Sequence, residues 1–204
     1  MQRPKFFFVG GVNGSGKTTV LHLISEKKPE FHVIKGSEYF MKWLGIKRRN
    51  YGQLQSLPDR KTLLELGRMM RYLLKEKKYS NNKKIVLIDA HFTNIRNGKT
   101  EEWISDWLSL VNGLVLIKAK PAEILKRIRI DNKKKTKRQR NLFPTNASYK
   151  EKIKFLQLFN KKSEHTFRKC VKIYKKQHKI LLNKENCATE TAKALINFLE
   201  FTTR

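Results

Sequence analysis

The stretch Gly11-Val12-Asn13-Gly14-Ser15-Gly16-Lys17-Thr18 decides the fold, because it fits the pattern G-x-x-x-x-G-K-[ST] without a mismatch. Its glycines let the backbone adopt conformations closed to other residues and bring N–H groups towards phosphate oxygens. A helix that begins near Lys17 adds its positive N-terminal end. The pattern therefore predicts a nucleotide phosphate-binding loop, with these members: Gly11, Val12, Asn13, Gly14, Ser15, Gly16, Lys17, Thr18 and Thr19.

The segments on either side of this loop have the character that the motif requires. Residues 5–9 form a short apolar run, which predicts a buried strand. Residues 17–26 place Val20, Leu21 and Ile24 on one helical face. Further along, apolar runs predict strands at 31–35, 84–89, 114–119 and 180–183. The intervening patterns predict helices at 38–44, 58–78, 101–110, 121–130, 149–176 and 189–201.

Alternating strands and helices predict an α/β protein of the P-loop NTPase class. We expect a three-layer αβα arrangement around a mainly parallel five-stranded sheet. The 204 residues suit one full α/β domain better than two, and no interdomain linker is evident. The chain is therefore predicted to form a single domain over residues 1–204.

Two polar residues follow the predicted strand at 84–89. Asp89 ends this strand, and ligands of open α/β sheets bind outside the carboxyl ends of the strands. With Thr18, Asp89 is therefore the candidate to hold Mg²⁺. The alternative is an aspartate that only caps a turn. His91, two residues on, projects from the same edge and is a candidate functional residue, although a lone histidine is more often structural.

A basic segment at 132–144 carries no periodicity and predicts a loop or lid, preceded by Arg127 and Arg129 in the helix before it. Phosphoryl transfer is catalysed mainly by positioning and by charge around the transferring group. Arg138 and Arg140 on a closing lid would supply that charge and exclude water. A solvated charge run or a nucleic-acid contact is the alternative.

The composition is strongly basic, with 46 Lys and Arg against 17 Asp and Glu and a formal net charge of +29. Such a charge attracts polyanions, including RNA. A drift towards Lys and Asn on solvated faces would give the same composition, and the sequence leaves both readings open. No apolar run reaches the length of a membrane span, so we expect no signal peptide, no membrane anchor and a cytoplasmic location.

Taken together, the loop at 11–19, the ending Asp89-Ala90-His91 and Glu123-Ile124-Leu125-Lys126-Arg127 resemble the archaeal-type adenylate kinases and their relatives, the nuclear adenylate kinases also described as ribosome-assembly ATPases. Arg138-Gln139-Arg140 falls where that family has its lid arginines. The order and spacing of the elements agree over nearly the whole chain. Asn13 departs from the family, in which a proline is common at this position.

The resemblance implies that the γ-phosphoryl group of Mg-ATP is transferred to AMP or another nucleoside monophosphate. ATP and Mg²⁺ would be the cofactors, and the catalytic residues would be Lys17, His91, Arg138 and Arg140. It also implies an acceptor-binding insertion at about 36–78 and a lid at about 131–145. Ser37, Arg60 and Arg68 are the acceptor-binding candidates.

The acceptor region offers few arginines at firmly alignable positions, so the specificity for AMP stays open. Two other functions are alternatives. One is a small P-loop kinase that phosphorylates another nucleotide or the 5′ end of a polynucleotide. Another is an RNA- or ribosome-associated ATPase, in which hydrolysis drives a binding cycle. A kinase needs an acceptor pocket between two helical segments, whereas an ATPase of this kind needs a contiguous basic face.

Overall fold

A parallel sheet of five strands lies at the centre of the fold, in the order Phe31–Lys35, Ile85–Asp89, Lys5–Gly10, Gly113–Lys118 and Gln177–Leu182. The computed structural model describes residues 4–47, 53, 54, 57, 59–75, 85–96, 99–102, 105–133, 142, 143 and 146–203. The sheet strands are β1 (Lys5–Gly10), β2 (Phe31–Lys35), β3 (Ile85–Asp89), β6 (Gly113–Lys118) and β7 (Gln177–Leu182). The predicted number and direction of the sheet strands are therefore confirmed.

The helices lie within a few residues of their predicted positions. They are α1 (Lys17–Lys27), α2 (Gly36–Trp43), α3 (Asp59–Lys75), α4 (Pro121–Lys133), α5 (Tyr149–Tyr174) and α6 (Ala188–Phe201). Helix α5 begins with a capping box, in which Ser148 and Glu151 each accept a backbone N–H of the other. Among the described residues, no helix is both long and apolar enough to cross a bilayer.

The central strands are apolar except for charged residues at their ends, because both faces of the sheet are covered. In β1, Phe6 and Phe8 belong to one core cluster and Phe7 and Val9 to the other. Helices α2, α3 and α5 contribute to the first cluster, and α1 and α6 to the second. The three-layer αβα prediction is therefore confirmed.

The segment after β3 differs from the sequence prediction. A helix was expected at residues 101–110, but the chain forms an antiparallel hairpin of β4 (Thr93–Arg96) and β5 (Lys99–Glu102). A 3₁₀ helix, Asp106–Leu110, follows and buries Trp107 and Leu108. The prediction was wrong because residues 101 and 102 pair with Thr93 and Asn94 in the hairpin, and this contact between two segments leaves no pattern within residues 101–110.

The predicted lid boundary also changes. Residues 131–133 continue α4 to Lys133 rather than beginning a loop. The arginines Arg138 and Arg140 lie outside the described residues.

The strand register brings the polar strand ends to one edge of the sheet. Asp89 on β3 is the register partner of Val9 on β1 and of Lys35 on β2. The phosphate loop follows β1 directly, and α2 follows β2 directly. The loop, Asp89 and the start of α2 therefore lie next to one another.

Candidate nucleotide-binding site

The phosphate loop is shaped by glycines that no other residue can replace without strain. Gly14 and Gly16 both have φ +83°, in the left-handed region. A Cβ atom on Gly11 would lie 2.4 Å from the carbonyl oxygen of Ile117. A Cβ atom on Gly16 would lie 2.2 Å from the side-chain nitrogen of Asn183. Ile117 and Asn183 therefore pack closely against the loop. Its glycines have the backbone conformation that the motif predicts.

Lys17, Thr18 and Asp89 meet at the sheet edge. Asp89 accepts from the ammonium group of Lys17 through Oδ1, and from the Thr18 hydroxyl through Oδ2 at 3.0 Å. The side chains of Lys17 and Asp89 are only 7% and 10% exposed. Burial of the charged pair is tolerated because each group compensates the other. The structure thus brings together the lysine that the motif predicts to bind phosphate and the two candidate Mg²⁺ ligands.

His91 is held against the phosphate loop. Its Nδ1 lies 2.6 Å from the carbonyl oxygen of Gly11. Since a carbonyl oxygen can only accept, this bond requires the imidazole proton on Nδ1. The histidine therefore ties the segment after β3 to the first residue of the loop.

Arg127 and Asn183 form a second support for the loop, which we call the loop clamp. Arg127 donates to the carbonyl oxygens of Gly14 and Ser15, at 3.4 and 3.0 Å. It also donates to the carbonyl oxygens of Asn183 and Lys184, both at 3.3 Å. One half-buried guanidinium group thus joins the loop to the segment that follows β7.

Asn183 completes the loop clamp. Its side-chain nitrogen donates to the carbonyl oxygen of Ser15 at 2.9 Å, and its side-chain oxygen accepts from Thr191 at 3.3 Å. Asn183 is only 2% exposed, so these bonds are shielded from water. The clamp therefore connects the phosphate loop to α6.

Only indirect signs of the loop clamp are present in the sequence. Arg127 belongs to the stretch 123–127 that carries the family resemblance, but its interpretation there was a charge beside the lid. Asn183 was predicted only as the end of the last strand. A polar residue at the carboxyl end of a strand is a signal for a site in this fold class, and that signal identifies Asn183 as it identified Asp89.

The acceptor candidates are more scattered. Gly36 packs closely on Asp89, since a Cβ atom on Gly36 would lie 2.8 Å from the Asp89 carbonyl oxygen. Ser37 is the next residue along the chain and is exposed in the first turn of α2. Arg60 is the second residue of α3 and is exposed. Arg68 lies two turns further along α3.

Arg68 takes part in a link between α2 and α3. It donates to Glu65 at 2.7 Å, and Glu65 also accepts from the indole nitrogen of Trp43 at 3.2 Å. The rings of Trp43 and Tyr72 lie 5.4 Å apart. The hydrogen bond from Trp43, and then that from Arg68, hold the pKa of Glu65 below its usual value. The two helices are thus joined through exposed side chains.

The fold and this site define an α/β protein of the P-loop kinase type. Residues 10–142, well over half of the chain, match the family model described as an AAA domain. The chain therefore belongs to the AAA domain family. No curated protein sequence matches it.

Solved structures support the same fold. The chain is similar to shikimate kinase from Bacteroides thetaiotaomicron, with a TM-score of 0.61, 15% identity, and coverage of 96% of this chain and 98% of that one. It is also similar to shikimate kinase from Acinetobacter baumannii in complex with shikimate, with a TM-score of 0.58, 14% identity, and coverage of 97% and 93%. A third similar structure is TT1252 from Thermus thermophilus, with a TM-score of 0.55, 17% identity, and coverage of 98% of both chains.

Proposed function

We propose that the protein is an ATP-dependent phosphotransferase of the adenylate kinase type, which transfers the γ-phosphoryl group of ATP to AMP. The observation that carries the proposal is the meeting of Lys17, Thr18 and Asp89 at the edge of the sheet. The AAA domain match and the kinase-type fold agree with it. The resemblance of the loop and of the Asp89-Ala90-His91 ending to archaeal-type adenylate kinases favours AMP as the acceptor.

The residues at this edge fit Mg-ATP. The left-handed glycines shape the backbone N–H groups into a cradle for phosphate oxygens. The Thr18 hydroxyl and the Asp89 carboxylate are oxygen donors of the kind that Mg²⁺ prefers, and the phosphates would supply further oxygens. When bound, Mg²⁺ neutralises charge on the β- and γ-phosphates. Asp89 would then exchange its contacts with Lys17 and Thr18 for the ion, which leaves the Lys17 ammonium group directed at the phosphates.

The reaction needs little from the protein besides position and charge. A phosphate oxygen of the acceptor forms a bond to the γ-phosphorus of ATP, and the bond from that phosphorus to the bridging oxygen breaks. The electron pair leaves with ADP, and the acceptor becomes the second ADP. Lys17 would stabilise the transferring group, and the loop clamp and His91 would hold the loop in position. Arg138 and Arg140 are proposed to close over the phosphates.

The acceptor is proposed to bind between α2 and α3, beside Asp89. Ser37 is the best placed of the candidates, because Gly36 packs on Asp89. Arg60, in the first turn of α3, is proposed to contact the acceptor phosphate. Arg68 is proposed to contribute as well, in exchange for its bond to Glu65.

A second candidate is a kinase whose acceptor carries a hydroxyl group. The similarity in fold to shikimate kinases, one of them solved with shikimate, is the observation that suggests it. The two candidates differ in proton balance: a hydroxyl acceptor loses a proton when it is phosphorylated, whereas a phosphate dianion has none to lose. An RNA-associated ATPase would instead turn over ATP without an acceptor.

The test is a coupled assay of ADP formation with Mg-ATP, comparing AMP, CMP, UMP, GMP, shikimate and no acceptor. AMP-dependent turnover should exceed that with every other acceptor. Lys17→Ala should reduce it by about 10³-fold, as expected for loss of a charge at the transferring group. Lys27→Ala, an exposed position on the same helix, is the matched control and should retain activity. Slow turnover indifferent to every acceptor would overturn the proposal.

A further inference from the structure

Helix α5 carries an aligned row of exposed lysines on the side opposite the core. The buried residues of this helix are Leu156, Phe159, Ser163, Thr166, Phe167 and Cys170. At about 100° per residue, four exposed lysines fall within a sector of about 40° on the far side. We call this row the basic stripe; its members are Lys150, Lys154, Lys161 and Lys172. Arg168 lies in the same sector.

The acidic groups near the basic stripe are engaged by other residues; Glu102 of β5, which lines the same cleft as Lys161, pairs with Lys169 at 3.3 Å. The two acidic residues of α5, Glu151 and Glu164, both lie outside its sector. Glu151 serves the N-cap of the helix. Glu164 is engaged by Lys118 and, at 2.7 Å, by Arg168. Within the described part of the chain, no hydrogen bond or ion pair engages the four stripe lysines.

We propose that the basic stripe binds the phosphate backbone of double-stranded nucleic acid, independently of base sequence. Its first and last lysines are 22 positions apart on one helix, about 33 Å, which is close to one helical turn of a duplex. Lysine binds phosphate as a point charge and reads no base pattern in this arrangement. Part of the net charge of +29 would then have a specific role at the basic stripe, while the rest would attract polyanions in general.

The other polyanionic partners fit this helix less well. Single strands are usually bound by aromatic residues that stack on bases, but the stripe sector contains no aromatic residue of α5. An anionic membrane binds helices whose apolar face is free to insert, whereas the apolar face of α5 lies in the core. A duplex has its bases already stacked and presents regular phosphate rows.

The experiment measures affinity for a fluorescent DNA duplex of about 20 base pairs by anisotropy over a series of salt concentrations, without ATP or Mg²⁺. The test variant replaces Lys150, Lys154, Lys161 and Lys172 by Gln. The control variant replaces four exposed lysines on four other helices, namely Lys27, Lys42, Lys75 and Lys193. Circular dichroism verifies that both variants are folded.

The wild type should show a steep loss of affinity with salt. In the stripe variant, the slope of log affinity against log salt should fall by about 3 to 4, since each phosphate contact contributes about 0.9. The control variant should change the slope by less than about 1. An RNA duplex of the same sequence should compete about as well as the DNA.

Three results would overturn the proposal. Equal losses in the two variants would show a diffuse charge effect. Tighter binding of a single strand of the same length, or equally strong competition by polyglutamate, would indicate a different partner. Because the assay contains no ATP and no Mg²⁺, its outcome is independent of the phosphotransfer proposed above.

Discussion

The phosphate-loop side and the acceptor side of the sheet edge are built from different kinds of contact. On the loop side, Arg127, Asn183 and His91 bond to backbone carbonyl oxygens of residues 11–15, largely shielded from water. On the acceptor side, the polar contacts join partly exposed side chains: Trp43 of α2 donates to Glu65 of α3, and Arg68 pairs with Glu65 within α3. Hydrogen bonds to buried backbone groups hold the loop in one conformation, whereas exposed ion pairs contribute little to the free energy of unfolding. The loop is thus held in one conformation, and we expect the proposed acceptor side to adjust more readily when a ligand binds.

Gly16 and Gly45 give the sharpest comparison of the two sides, because both have positive φ, +83° and +69°. Alanine should cost about 1–2 kcal/mol of unfolding free energy at either position, because both are left-handed. At Gly16 the new Cβ atom would also displace the amide of Asn183. At Gly45 it would meet nothing within 4 Å.

We therefore expect Gly16→Ala to weaken ATP binding by about 10²-fold, about 2.7 kcal/mol, and Gly45→Ala to leave it within about twofold. Titration calorimetry with Mg-ATP measures both, and chemical denaturation measures stability. If Gly16→Ala kept wild-type affinity, close packing under the loop would not matter for nucleotide binding.

Arg127→Lys tests the loop clamp more gently. A lysine keeps the charge but cannot donate in a planar fork to four carbonyl oxygens. We expect the KM for ATP to rise about tenfold, with the acceptor KM little changed. Arg129→Lys is the matched control: Arg129 is an exposed arginine two residues further along α4, 5.4 Å from the ring of Tyr149. Equal effects at both positions would contradict the clamp.

Of these variants, Arg68→Ala should have the smallest effect on stability and on the KM for ATP. It removes an ion pair in which Arg68 is 60% exposed, so the change in stability should stay below about 1 kcal/mol. The KM for ATP should remain within about twofold, and the KM for AMP should rise about three- to fivefold. Steady-state kinetics with each substrate varied separately measures both. An unchanged KM for AMP would remove Arg68 from the acceptor site.

The sequence predicts the loop side well, because local rules determine it. The motif at 11–18 requires left-handed glycines, and the apolar run before Asp89 requires a buried strand that ends at the sheet edge. These two facts already place Lys17, Thr18 and Asp89 together. They do not reveal the loop clamp, because Asn183 and Ser15 are 168 positions apart and meet only through the strand order.

The acceptor side was less predictable for the same reason. The candidates lie on two helices, Ser37 on α2 and Arg60 and Arg68 on α3. The distance between these helices depends on their packing, and no local sequence pattern determines it. The hairpin at β4 and β5 was missed because its strands are short and largely polar, so they show no clear alternation of apolar and polar side chains.

Asp89 provides the most direct test of the central claim, that this carboxylate and the loop form one Mg-nucleotide site. ATP affinity should be measured by calorimetry with and without Mg²⁺, for the wild type and for Asp89→Asn. The wild type should bind ATP more tightly with Mg²⁺. The variant should bind Mg-free ATP at least as tightly as the wild type, because Lys17 is no longer neutralised, and should gain nothing from Mg²⁺. An undiminished gain from Mg²⁺ in the variant would contradict the account.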